Sequence, residues 1–117
     1  MAEVSNLDGG ETRTFGHGMV QTAKAGSVMV SRGRLEPGWR WSNDVKPIVG
    51  TDSCMVPHKG YAVSGRLHIA MDDGTEVEIG AGDAHDIPPG HDAWVVGDEP
   101  YVGVDFSEEM ADYAKSS

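Results

Sequence analysis

The chain's punctuation constrains its fold more than anything else in the sequence. From residue 64 onward, turn-forming clusters recur at roughly 8–12-residue intervals, too closely for helices to fit between them. Glu36-Pro37-Gly38, Ser64-Gly65, Asp72-Asp73-Gly74, Gly80-Ala81-Gly82-Asp83, Pro88-Pro89-Gly90 and Gly97-Asp98-Glu99-Pro100 each interrupt the chain. Residues 27–35 (SVMVSRGRL), 58–63 (HKGYAV), 66–71 (RLHIAM), 76–79, 84–87, 93–96 and 101–106 read as short strands between them. Ser64-Gly65 predicts a two-residue hairpin joining 58–63 to 66–71. No helical stretch separates the strands, which excludes parallel βαβ units and points to an all-β sandwich or barrel.

The remaining segments are less regular. Residues 1–26 show little periodicity, and Gly9-Gly10, Gly16 and Gly18 predict a loose N-terminal arm with at most one short strand at 12–15. Residues 39–50 read as irregular. In residues 107–117, Ser107 is a helix cap, Glu108 and Glu109 suit a helix N-terminus, and Phe106, Met110 and Tyr113 form one apolar stripe, so a short C-terminal helix is expected. The organisation predicted is an arm (1–26), a barrel (27–106) and a helical tail (107–117). A chain of 117 residues suits one core.

Charge narrows the partners. A net charge of -10 repels a phosphate backbone and an anionic membrane surface, so neither nucleic acid nor membrane is expected as a partner. No apolar run approaches the roughly 20 residues needed to cross a bilayer. The first residues lack a basic-then-apolar signal pattern, and a lone cysteine, Cys54, excludes an internal disulfide framework. A cytoplasmic protein is the expectation, and exposed strand edges with apolar residues on both faces predict a homodimer.

Residues 28–106 resemble the cupin superfamily, a small jelly-roll barrel. The second cupin motif runs glycine, five residues, Pro-x-Gly, two residues, histidine; Gly82 and Pro88-Pro89-Gly90 fit it, and the histidine slot falls on Ala93. The first motif runs His-x-His, three or four residues, Glu, six residues, Gly; with Gly65 as its last position, the Glu slot falls on His58 and the two histidine slots on Asp52 and Cys54. The resemblance thus implies the turn-and-strand frame, while none of its four ligand slots holds the usual residue.

This departure shapes the functional expectation. His58 and His91 approach one pocket in the cupin frame, and imidazoles exchange protons near neutral pH. They are the candidate catalytic pair, with Asp52 orienting one ring. Trp39, Trp41, Cys54, Gly60, Ala62, His85 and Ala93 are the candidate substrate-binding residues; Gly60 and Ala62 share the parity of His58 and would leave room in the barrel. The leading expectation is a metal-independent enzyme performing isomerisation, cyclisation, dehydration or decarboxylation on a small organic molecule, with no cofactor. A non-catalytic metabolite-binding or sensor module is the first alternative. A metal-dependent dioxygenase or lyase, with Asp52, Cys54 and His58 holding a divalent transition metal and help from His91, is the second.

Overall fold

The computed structural model describes residues 2–106. Nine strands form two antiparallel sheets: β1 (Glu11–Phe15), β2 (Gly18–Ala25), β3 (Val28–Leu35), β4 (His58–Ser64), β5 (Arg66–Met71), β6 (Glu76–Gly80), β7 (Ala84–Ile87), β8 (His91–Val95) and β9 (Tyr101–Asp105). The larger sheet has the order β1-β2-β3-β9-β4-β7 and the smaller β6-β5-β8. The expected C-terminal helix lies outside the described residues.

Alternation in the sequence becomes sidedness in the sheets. Leu67 and Ile69 of β5, and His91, Ala93 and Val95 of β8, are buried, while His68 and Trp94 point the other way and stack on each other. On the facing sheet Leu35, Ala62 and Tyr101 are buried. The two inner faces, with Trp39, Trp41, Val45, Cys54, Ile79 and Ile87, make one core. Burying each large aliphatic chain contributes about 1.5–3 kcal/mol. An all-β jelly roll is therefore the architecture.

Three local expectations change. Residues 11–25, read as part of a loose arm, form β1 and β2 and extend the larger sheet. Strand β2 alternates correctly, with Val20 and Thr22 buried, but its small and polar residues (GMVQTAKA) weaken the strand signal. The predicted hairpin at Ser64-Gly65 is not one. Strand β4 pairs with β7 and β9, whereas β5 pairs with β6 and β8, so Gly65 marks the corner where the chain changes sheet. Gly65 has φ of 78°, and a Cβ there would lie 2.3 Å from the Pro100 carbonyl oxygen, so both the turn and the close approach require glycine. The β4–β9 register also shifts between Ala62 and Ser64, a bulge that bends the strand at this corner.

The stretch read as irregular contains two single helical turns, α1 (Trp41–Asp44) and α2 (Lys46–Val49). Two aspartates fasten this segment to the turn between β1 and β2 and to β8. Asp44 accepts from the Arg40 backbone N–H at 3.0 Å and meets His17 Nδ1 at 3.1 Å; Asp92 accepts from the Ser42 backbone N–H at 3.1 Å. The fastening delivers Trp39, Trp41 and Val45 to the interior.

Candidate metal centre and ligand cavity

Between the sheets lies a cavity of about 120 Å³. Its walls are almost entirely apolar, built from residues such as Phe15, Leu35, Trp39, Trp41, Leu67 and Ile69. Besides His85, Tyr101 and Asp105, the polar part of the wall is a cluster in which Cys54 Sγ and one nitrogen each of His58 and His91 all lie within 4.8 Å of one another. Each comes from a different place in the fold. Cys54 bridges to β8, donating its backbone N–H to the His91 carbonyl at 2.7 Å; His58 opens β4; His91 opens β8.

The orientation of each ring is fixed from behind. His58 Nδ1 lies 2.9 Å from Asp105 Oδ2, and His91 Nδ1 lies 3.0 Å from the Pro88 carbonyl oxygen. An Nδ1–H donating to each acceptor leaves Nε2 as the free lone pair, and His58 Nε2 lies 3.8 Å from Cys54 Sγ. The two rings meet edge to face, with centroids 5.2 Å apart.

Electrostatics favour an ionised sulfur. Burial opposes charge on Cys54, but hydrogen bonds and charge from His58 and His91 outweigh it and bring the thiol down to about 6. Burial likewise opposes charge on His58, yet hydrogen bonds to Asp105 and Cys54 outweigh it and raise the imidazole to about 9. On the cavity wall, burial lowers His85 below the ordinary imidazole value.

The donor set suits a transition metal. A soft sulfur and two imidazole nitrogens with both Nδ1 positions held by acceptors are the ligands and outer partners that zinc and its neighbours take. Ligand atoms around a tetrahedral zinc lie about 3.4–3.6 Å apart, so donors within 4.8 Å of one another could hold an ion after shifts of about 1 Å.

The structure brings together His58, His91 and Cys54 from the sequence-selected residues, and sets Trp39, Trp41, His85 and Ala93 along the cavity wall. Asp52 is exposed and is not among the lining residues, so the fallback grouping of Asp52, Cys54 and His58 is corrected: the side chains that come together are Cys54, His58 and His91, and the carboxylate against a ring is Asp105. Motif spacing misplaced Asp52 because residues 51–57 do not form a strand, so two positions one residue apart need not face the same way there. Gly60 and Ala62 are also not among the lining residues. A Cβ on Gly60 would lie 1.8 Å from the Val104 carbonyl oxygen, so that glycine admits a neighbouring strand rather than a ligand. The space comes instead from Gly33, opposite Gly103 in the β3–β9 register, where an added Cβ would meet no atom within 4 Å. Sequence reasoning also missed Asp105; its signal was the inward parity of Tyr101, Gly103 and Asp105.

No protein-family model matches the sequence, and no curated protein matches it. Solved structures do. A Rhizobium leguminosarum protein of unknown function is 20% identical with a TM-score of 0.55, the match covering 76% of this chain and 78% of that one. A Klebsiella pneumoniae protein with a double-stranded β-helix domain is 18% identical with a TM-score of 0.54, covering 86% of this chain and 84% of that one. Oxalate decarboxylase from Bacillus subtilis is 14% identical with a TM-score of 0.57 over 92% of this chain, but this chain spans only 29% of that enzyme. At these identities the likeness is one of fold. The chain carries the cupin fold, the double-stranded β-helix.

Proposed function

We propose that the barrel is a metal-dependent small-molecule site, in which Cys54, His58 and His91 hold a divalent transition metal and the apolar cavity holds an organic substrate. The observation that carries this reading is the convergence of three donor atoms within 4.8 Å, two of them imidazoles whose outer nitrogens are already engaged. A metal held by these three residues would supply Lewis-acid polarisation of a substrate oxygen, the chemistry of lyases and hydrolases. The chain's residues do the rest. Asp105 keeps His58 in one tautomer, the Pro88 carbonyl does so for His91, and the Trp39, Trp41, Leu67 and Ile69 walls exclude water from the reacting group. Oxalate, the molecule named for the Bacillus subtilis neighbour, is a small dianion without an apolar body, and these walls suit a different substrate.

Elemental analysis of protein purified without chelator tests the proposal. The expected result is about one equivalent of a transition metal, lost in Cys54→Ser and His91→Gln and retained in Asp52→Asn. Metal-free protein that takes up no added zinc or cobalt would overturn it.

One arrangement favours a second, metal-free reading, closer to the acid–base enzyme expected from the sequence. Cys54 Sγ, His58 Nε2, His58 Nδ1 and Asp105 Oδ2 form a single line of contacts at 3.8 and 2.9 Å, the order of nucleophile, base and orienting carboxylate. In this reading His58 accepts the thiol proton and Cys54 attacks an electrophilic carbon in the cavity. Covalent capture of Cys54 by a substrate-sized electrophile in metal-free protein, abolished by His58→Gln, would promote it over the metal site.

A further inference from the structure

Two nitrogen atoms are buried with no hydrogen-bond partner among the described residues: Nε1 of Trp39 and Nδ1 of His85. Both side chains line the cavity. Trp39 is 6% exposed. Its backbone is fully engaged, with the N–H donating to the Glu36 carbonyl at 3.0 Å and the carbonyl accepting from the Val95 N–H at 3.1 Å. Only the indole N–H is left over. His85 is half-buried on β7 opposite Gly60, one inward position along from the His58–Ile87 pair, and its ring also meets the His58 backbone, so only Nδ1 is at issue.

An indole nitrogen is a donor and nothing else. Buried tryptophans nearly always place that donor on an acceptor, because an unpaired one keeps the whole cost of its lost hydration. A second unpaired polar atom in the same apolar wall is the pattern of a ligand pocket, where a few convergent groups fix a molecule whose body fills the rest. Size limits the body. An apolar cavity of roughly 150 Å³ takes benzene, so one of about 120 Å³ takes a compact molecule of about five to eight non-hydrogen atoms.

We infer that the cavity binds a small oxo or hydroxy acid with a branched hydrocarbon body, one oxygen accepting from Trp39 Nε1–H and a second polar group hydrogen-bonding His85 Nδ1. The inference deepens the small-molecule reading above and rests on it, but neither nitrogen belongs to the proposed metal cluster. Trp39 and His85 are substrate-positioning residues in this scheme. Trp94, stacked on His68 outside the barrel, has no part in it.

The test follows the indole proton directly. In ¹⁵N-labelled protein the 3 tryptophans give separate indole N–H signals, and loss of one in Trp39→Phe assigns it. Titration with 3-methyl-2-oxobutanoate should move the Trp39 signal downfield and leave that of Trp94 in place. The amine 3-methylbutan-1-amine, with a similar body but no acceptor, should leave the Trp39 signal unmoved, and oxalate should bind no more than weakly. His85→Leu should weaken 3-methyl-2-oxobutanoate by about tenfold, as expected for one hydrogen bond lost from a buried group. If Trp39→Phe does not fold, Trp41→Phe and Trp94→Phe assign the other two indole signals and leave that of Trp39 by elimination, and His85→Leu carries the affinity comparison. A Trp39 signal unmoved at saturating probe, or moved equally by the amine, overturns the inference. The titration is run on metal-free and zinc-loaded protein, with zinc uptake measured separately. Zinc uptake with a silent Trp39 defeats this inference alone; a Trp39 shift in protein that takes up no zinc defeats the metal reading alone.

Discussion

His58 Nδ1 lies 2.9 Å from Asp105 Oδ2, joining the first residue of β4 to the last residue of β9. Asp105 is 7% exposed, and its carboxylate fixes both the tautomer and the plane of the ring. Asp105→Asn keeps the shape of the side chain but removes its charge. It is expected to weaken zinc binding by about 10–100-fold, the usual loss when an outer partner of a metal-bound histidine is removed. Competition against a chromophoric chelator measures this. Asp52→Asn should leave the affinity unchanged, and equal losses from both variants would refute the assignment of Asp105.

The thiol and the imidazole predict a pH dependence. With Cys54 lowered to about 6 and His58 raised to about 9, metal-free protein holds a thiolate beside an imidazolium between those values. Alkylation of Cys54 by iodoacetamide should therefore reach half its plateau near pH 6, against about 8.5 for an ordinary thiol. His58→Gln should move that midpoint upward. The sign for stability is set by the same shifts. A raised imidazole stabilises the fold most fully below its ordinary value of 6.5, and its contribution is lost as pH rises through about 9. The depressed thiol contributes with the opposite sign, gaining as pH rises, so the comparison is made in a Cys54→Ser background, where the gap in denaturation midpoint opened by His58→Gln should shrink between pH 7 and pH 10. A gap that widened over that range would mean that His58 is not held charged by Asp105.

Strands β3 to β9 were legible because each rests on local information, whereas the small and polar residues of β1 and β2 carried too little of it. Alternation in RLHIAM and HDAWV predicts the sidedness of Leu67, Ile69, His91 and Ala93 without knowledge of their neighbours. Cys54 and His58 were legible from motif spacing. Asp105 was not, because its partner lies 47 residues away and the β4–β9 register that joins them contains a bulge. The hairpin at Ser64-Gly65 misled for a related reason. A two-residue turn and a sheet corner both need glycine at positive φ, and only the approach of Pro100 from a distant loop distinguishes them. Gly33 and Gly60 are the same residue type on inward positions, yet one opens onto the cavity and the other faces a carbonyl oxygen.

The corner at Gly65 gives a prediction for the fold. Gly65→Ala forces a side chain into the left-handed region and against the Pro100 carbonyl, which a Cβ would approach to 2.3 Å. The expected loss is about 2–4 kcal/mol, combining the conformational penalty with displacement of the 97–100 turn. Urea denaturation reads it. Gly82→Ala is the control, since its φ of 90° imposes the conformational penalty but nothing lies within 4 Å of the added carbon. Equal losses from the two variants would mean that backbone conformation alone sets the cost at Gly65.

The cavity itself is tested by filling it. Gly33 lies on β3 and lines the cavity, and a Cβ added there would meet no atom within 4 Å. Gly33→Leu adds four carbons to that space, a large share of about 120 Å³. It should cost less than about 1 kcal/mol of stability, since the new side chain meets an apolar void and glycine is a poor strand former. Binding of 3-methyl-2-oxobutanoate should fall by more than about tenfold, because the added chain and the ligand compete for one volume. Zinc affinity should stay within about twofold, because Gly33 is not among the three donors. Calorimetric titrations of the probe and of zinc on the same preparation separate the two effects. Undiminished probe binding in Gly33→Leu would show that the ligand sits elsewhere, and loss of zinc binding would show that the metal cluster and this wall are one packed unit.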